Sequence, residues 1–171
     1  MKKSFLHFLV AGIVSFIVLL LVAFTETNTG ETKIIIVRHA EKDTMGGSNP
    51  GLTADGENRA DRLSHSFPGI TPDEFYSTNY IRTVATVKPW AKMAGKEVKL
   101  YDAKSQAAFA EIIKLETGKT IVIAGHSNTV PPLVNLILGK EKYSLLKDNE
   151  YDKIFLITIS DGIIKDTVMV Y

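Results

Sequence analysis

Two short apolar runs constrain what this chain can fold into. "KIIIV", Lys33 to Val37, and "TIVIAG", Thr120 to Gly125, are continuous rather than alternating, the pattern of strands covered on both faces. Strands of that kind belong to parallel or mixed sheets sandwiched between helices. Both runs end on a histidine: the first continues as Arg38, His39, Ala40, Glu41 and Lys42, the second as His126. A buried strand normally ends in turn residues, so charged groups at its tip imply a charged ligand.

The intervening sequence alternates helix and strand signals. A glycine-rich loop, "DTMGGSNPG", follows the first strand, and Thr53 then reads as the N-cap of a helix reaching about Ser66, with Asp55 and Glu57 in its first turn. "EFYS" reads as a short strand, residues 79–93 as a helix disturbed by Pro89, residues 97–101 as a strand and residues 104–116 as a helix. "NTVPPLVNLILG" starts a helix whose prolines are tolerated only in its first turn, with Asn128 as its expected cap. The last two strands, Lys153 to Ser160 and Ile163 to Val170, flank Asp161-Gly162, a strong hairpin signal. The order predicts a three-layer α/β/α sandwich with a mostly parallel central sheet and an antiparallel edge.

Residues 1–24 differ in kind from all later segments. Lys2 and Lys3 precede an apolar run, Phe5 to Phe24, in which His7 is the one ionisable side chain. Such a run spans about 30 Å as a helix, the thickness of a bilayer core. It reads as an N-terminal transmembrane helix, an uncleaved signal anchor in preference to a cleaved signal peptide, because no A-x-A site follows. Basic residues on the cytoplasmic side would place the rest of the chain extracytoplasmic, periplasmic or at the cell surface. Residues 25–32 form a polar linker, and 33–171 one domain with ample apolar content for a core. Twenty Lys and Arg against nineteen Asp and Glu favour no nucleic-acid partner, and the lack of cysteine excludes a disulfide, a thiolate nucleophile or a thiolate metal site.

In layered sheets of this kind ligands bind at the carboxyl ends of the strands. Arg38, His39 and His126 lie there, and Arg82, expected in the first turn of its helix, can point back over the same edge. Two arginines and two histidines in one crevice make an anion site, since guanidinium forks match phosphate oxygens in pairs. His7 and His65 read as structural, Arg59 and Arg62 as solvated helix surface, and Trp90 as core.

"VRHAEK", "LTADGENRA", "YSTNYIRTVAT" and "IVIAGHSNTVP", in that order, resemble the motifs of the histidine phosphatase superfamily, with its phosphoglycerate mutase-like fold. The likeness runs from residue 33 to about residue 159, and the family's usual RHG stands here as Arg38-His39-Ala40. It implies that His39 is the nucleophile that becomes a phosphohistidine, and that Arg38, Arg82 and His126 hold the phosphate, with neither cofactor nor metal. The proton donor to the leaving oxygen is expected from a Glu or Asp after the second arginine. Asp102 is the nominee, and Glu41, beside the nucleophile, is the rival. One branch of the superfamily places an Asp directly after the second histidine; this chain has Ser127. The resemblance thus implies a membrane-tethered phosphomonoesterase acting on a small phosphorylated substrate, such as a sugar or lipid-linked phosphate. The alternatives are a phosphate-binding pseudo-phosphatase, a phosphohistidine protein phosphatase, or a mutase-type transferase.

Overall fold

The computed structural model describes residues 30–171. The expected membrane helix over residues 1–24 lies outside that range, and among the described residues no helix is long and apolar enough to cross a membrane.

The two apolar runs become β1 (Thr32–Arg38) and β4 (Thr120–Gly125). Between them come α1 (Ala54–His65), β2 (Glu74–Ser77), α2 (Ile81–Met93), β3 (Val98–Leu100) and α3 (Gln106–Leu115). After β4 follow α4 (Val130–Leu138), β5 (Lys153–Ser160) and β6 (Ile163–Val170). The sheet order is β3-β2-β4-β1-β5-β6. β3, β2, β4 and β1 are parallel, while β5 runs antiparallel to β1 and β6 antiparallel to β5. The hairpin turns on Asp161 and Gly162, both with positive φ (51° and 75°), the twist that a two-residue connection needs.

Successive side chains of β1 enter opposite faces of the sheet. Ile34 and Ile36 pack with Phe109 and Ile113 of α3 and with Leu133 and Ile137 of α4. Ile35 and Val37 pack with Leu63 of α1 and with Val87 and Trp90 of α2. All four β1 residues are fully buried, which explains why the run is continuous instead of alternating.

Thr53 caps α1 as expected, its hydroxyl accepting from the Gly56 N–H at 3.1 Å. Elsewhere the helix starts shift. α2 begins at Ile81, and residues 103–105 form a 3₁₀ turn before α3. Asn128 is not the cap of α4; Thr129 holds that position without a side-chain cap bond. Pro131 and Pro132 lack the N–H groups such a cap would serve, and the Thr129 hydroxyl accepts instead from the His126 N–H at 2.8 Å.

Candidate active site

The register of β1 on β4 builds the site. Arg38 pairs with Gly125 in parallel, so the next residues, His39 and His126, leave the sheet side by side. The His39 N–H donates to the Gly125 carbonyl at 2.8 Å, and the two imidazole centroids are 5.3 Å apart, edge to face. Gly125 leaves no room for a side chain: a Cβ there would lie 2.9 Å from Thr129 Oγ1 and 3.1 Å from the Tyr101 hydroxyl. β2 supplies the third corner, delivering Thr78 and then Arg82 in the first turn of α2. Arg38, His39, Lys42, Arg82, His126 and Asp148 line one cavity of about 550 Å³.

His39 is only 4% exposed. Its Nδ1 lies 2.7 Å from the Ala40 carbonyl, and since a carbonyl only accepts, Nδ1 carries the proton and Nε2 keeps the lone pair. Burial drives its pKa down to about 3. The Ala40 carbonyl opposes that shift, while the charges of Arg38 and Arg82 reinforce it. His39 is therefore neutral at any physiological pH, the form able to act as a nucleophile.

His126 is held down to about 4, by burial first and then by Arg82, Arg38 and Lys42. Arg82 Nη2 can only donate, so Nδ1 of His126 accepts from it at 3.4 Å and Nε2 carries the proton. That Nε2–H donates to Thr78 Oγ1 at 2.9 Å. Thr78 passes its own proton to Thr83 Oγ1 at 3.0 Å, and Thr83 donates to the Thr78 and Tyr80 carbonyls. The relay fixes the tautomer of His126 from the side of β2.

The arginines are fixed by different means. Nη1 of Arg38 faces the carbonyls of Lys147, Asp148 and Glu150 at 2.8, 3.1 and 3.0 Å, and its guanidinium carbon sits 4.0 Å from the centre of the Tyr151 ring. Arg82 lies over Tyr80, 4.6 Å from the ring centre, and burial lowers its pKa. The Nε atoms of both are buried without a hydrogen-bond partner among the described residues. An unmatched buried donor costs about 1–3 kcal/mol, more when charged, and both arginines line the same cavity.

The structure thus brings Arg38, His39, Arg82 and His126 together, and it separates the two carboxylates nominated from sequence. Glu41 turns away into a forked ion pair with Arg59, with N–O distances of 2.7 to 3.0 Å, and Arg59 also reaches the Tyr171 carbonyl. Hydrogen bonds from Arg59 hold the Glu41 pKa down, which suits a fastener and not a proton donor. Arg59 is accordingly no free surface cation. Asp102 caps the 3₁₀ turn by accepting from the Lys104 N–H at 2.9 Å, and it lines a neighbouring cavity that shares Tyr80 and Ala103 with the first. Three contributors escaped sequence reading. Thr86 accepts from the Ala40 N–H at 2.9 Å, while Tyr151 and the 147–150 carbonyls engage Arg38, and none of them carries a local motif.

The carboxyl edge of this mixed α/β/α sheet thus carries two histidines and two arginines around one cavity. The family model described as "Histidine phosphatase superfamily (branch 1)" matches residues 34–103. No curated protein matches the sequence. Solved structures share the fold at low identity. Phosphoserine phosphatase from Entamoeba histolytica in complex with 3-phosphoglyceric acid aligns with a TM-score of 0.64 and 19% identity, over 82% of this chain and 97% of that one. The protein histidine phosphatase SixA complexed with tungstate gives 0.65 and 14%, over 81% and 96%. A mycobacterial glucosyl-3-phosphoglycerate phosphatase complexed with VO3 gives 0.62 and 12%, over 81% and 98%.

Proposed function

We propose that this protein is a phosphomonoesterase that works through a phosphohistidine on His39, without a metal. The observation that carries the reading is the pairing of an imidazole held neutral, its lone pair fixed on Nε2 by the Ala40 carbonyl, with two guanidinium groups whose Nε donors have no partner among the described residues.

In this reading the phosphate oxygens take the free edges of Arg38 and Arg82, and the longer His126 contact is the one that yields to an anion. His39 Nε2 attacks phosphorus while the ester P–O bond breaks, and the leaving oxygen takes a proton from the Asp102 carboxyl on the leaving-group side. Water then attacks the phosphohistidine, the P–N bond breaks, and the proton released by water returns to Asp102. Splitting the displacement in two and neutralising charge by position is what phosphoryl transfer asks of a protein. Residues 1–24 would tether the domain to a membrane with the site extracytoplasmic; a reporter fused to the C-terminus and active only in the cytoplasm would refute that orientation. The turn of the Asp102 carboxylate towards Lys104 favours one second reading, a module that binds phosphate and does not turn it over.

The test is hydrolysis of 4-nitrophenyl phosphate by the full chain in the presence of chelator, with trapping of an acid-labile phosphoprotein. Turnover and trapping are expected in the wild type and absent in His39→Ala. Vanadate binding without turnover would move the assignment to the binding module.

A further inference from the structure

The anion cavity accounts for the phosphate and leaves open what the phosphate is attached to. A second cavity, of about 400 Å³, meets it at Tyr80 and Ala103, which line both. Its size lies within the range of small-molecule sites, about 300–1,000 Å³. Tyr80, Leu100, Tyr101 and Ala103 form its apolar walls. Two of them are unusually open for large apolar side chains, Tyr80 at 42% exposure and Leu100, on the edge strand β3, at 55%. Thr78, whose hydroxyl engages His126, also lines it, so the second cavity opens directly beside the phosphate pocket.

Its charges are two and opposite, Asp102 and Lys104, with the Asp102 carboxylate already accepting from the Lys104 N–H. An apolar group would remove the exposed faces of Tyr80 and Leu100 from water.

We infer that the second cavity is the leaving-group subsite and that it takes an uncharged apolar group, an aryl ring or short alkyl chain esterified to phosphate. The inference rests on the phosphatase reading above. The ester oxygen then lies at the junction of the two cavities, by Ala103 and next to Asp102, which is where a proton donor is needed.

Binding of phosphonates that cannot be hydrolysed tests the subsite without requiring turnover. Full-length protein is titrated calorimetrically with 3-phenylpropylphosphonate, n-propylphosphonate and inorganic phosphate, and compared with Leu100→Ser. Leu100 does not line the anion cavity, and its exposure lets the variant fold. The phenyl compound should bind wild type at least about tenfold more tightly than the propyl compound, or about 1.4 kcal/mol. In Leu100→Ser the ratio should shrink to about threefold or less while inorganic phosphate binds unchanged. Equal affinities in the wild type, or a ratio unmoved by the substitution, would overturn the subsite. Failure of the phosphatase reading looks different: preferential phosphonate binding with no hydrolysis of the matching phosphate esters.

Discussion

The proton on His39 offers the sharpest test of how the site is built. Burial lowers its pKa to about 3, against 6.5 for an ordinary histidine. Below pH 6.5 the unfolded chain takes up a proton at this position that the folded chain refuses, so the folded state loses stability as the pH falls, and the loss levels off only near the folded value. Each pH unit in that window is worth about 1.4 kcal/mol, so going from pH 7 to pH 5 costs about 2 kcal/mol through His39 alone. His126 adds a loss of the same sign and nearly the same size over this window, because its folded value, about 4, also lies below pH 5. Asparagine at position 39 keeps a polar side chain of similar reach and does not titrate. Urea denaturation of wild type and His39→Asn at pH 7 and pH 5 should therefore show the wild type losing about 2 kcal/mol more than the variant. Equal losses would mean that His39 is solvated enough to titrate normally and that the fold does not hold it neutral. The kinetic counterpart has the same origin. Plotted against the dianion of 2,4-dinitrophenyl phosphate, whose leaving group needs no proton, kcat/KM should stay flat between pH 7 and pH 5, where an ordinary histidine would lose roughly 25-fold.

Two comparisons probe the neighbours of His39. Asp102→Asn should slow hydrolysis of an alkyl phosphate by at least about a hundredfold and that of 2,4-dinitrophenyl phosphate by less than about tenfold, since the latter leaves without a proton; Glu41→Gln should leave both within about threefold. Steady-state rates on the two esters decide this, and an alkyl-selective defect in Glu41→Gln would reinstate Glu41 as the donor. Gly56→Ala places a Cβ 2.3 Å from the Glu41 carbonyl oxygen, which also accepts from the Thr53 N–H at 2.9 Å. The gain in helix propensity, up to about 1 kcal/mol, is outweighed by an overpacking cost of about 1–3 kcal/mol. A lower midpoint in thermal denaturation is expected, and an unchanged or higher one would show that the α1–Glu41 contact is slack.

How much of the molecule was legible in the sequence depended on the range of the interactions involved. The β1 and β4 runs, the Thr53 cap and the Asp161-Gly162 turn are local patterns, and each sits where its pattern required. His39 and His126 could be brought together because both end buried strands of one sheet, even though only the register shows that they are neighbours. Carboxylate roles were not legible, because they depend on where a long-range partner lies. Glu41 stands two residues from His39 and is claimed by Arg59 from α1, while Asp102 is claimed by the backbone of its own turn. Thr86 and Tyr151 were equally hidden: nothing near them in sequence announces that one meets the Ala40 N–H and the other the guanidinium of Arg38.

Arg38 shows how one side chain can serve both fold and ligand. The segment between α4 and β5 holds no regular structure; Leu146 anchors it in the core, and the buried side chains of Asn135 and Arg38 fix its backbone. Asn135, on α4, donates to the Tyr143 carbonyl and accepts from the Lys142 and Tyr143 N–H groups at 2.9 to 3.1 Å. Arg38 gathers the 147–150 carbonyls on Nη1 and presses against Tyr151. Nη1 is committed to the segment, while Nε has no hydrogen-bond partner among the described residues. Lysine at this position would keep the charge but has a single nitrogen, which cannot hold the carbonyls and an anion on separate edges. The segment behind Arg38 thus constrains its identity whatever the cavity in front of it binds.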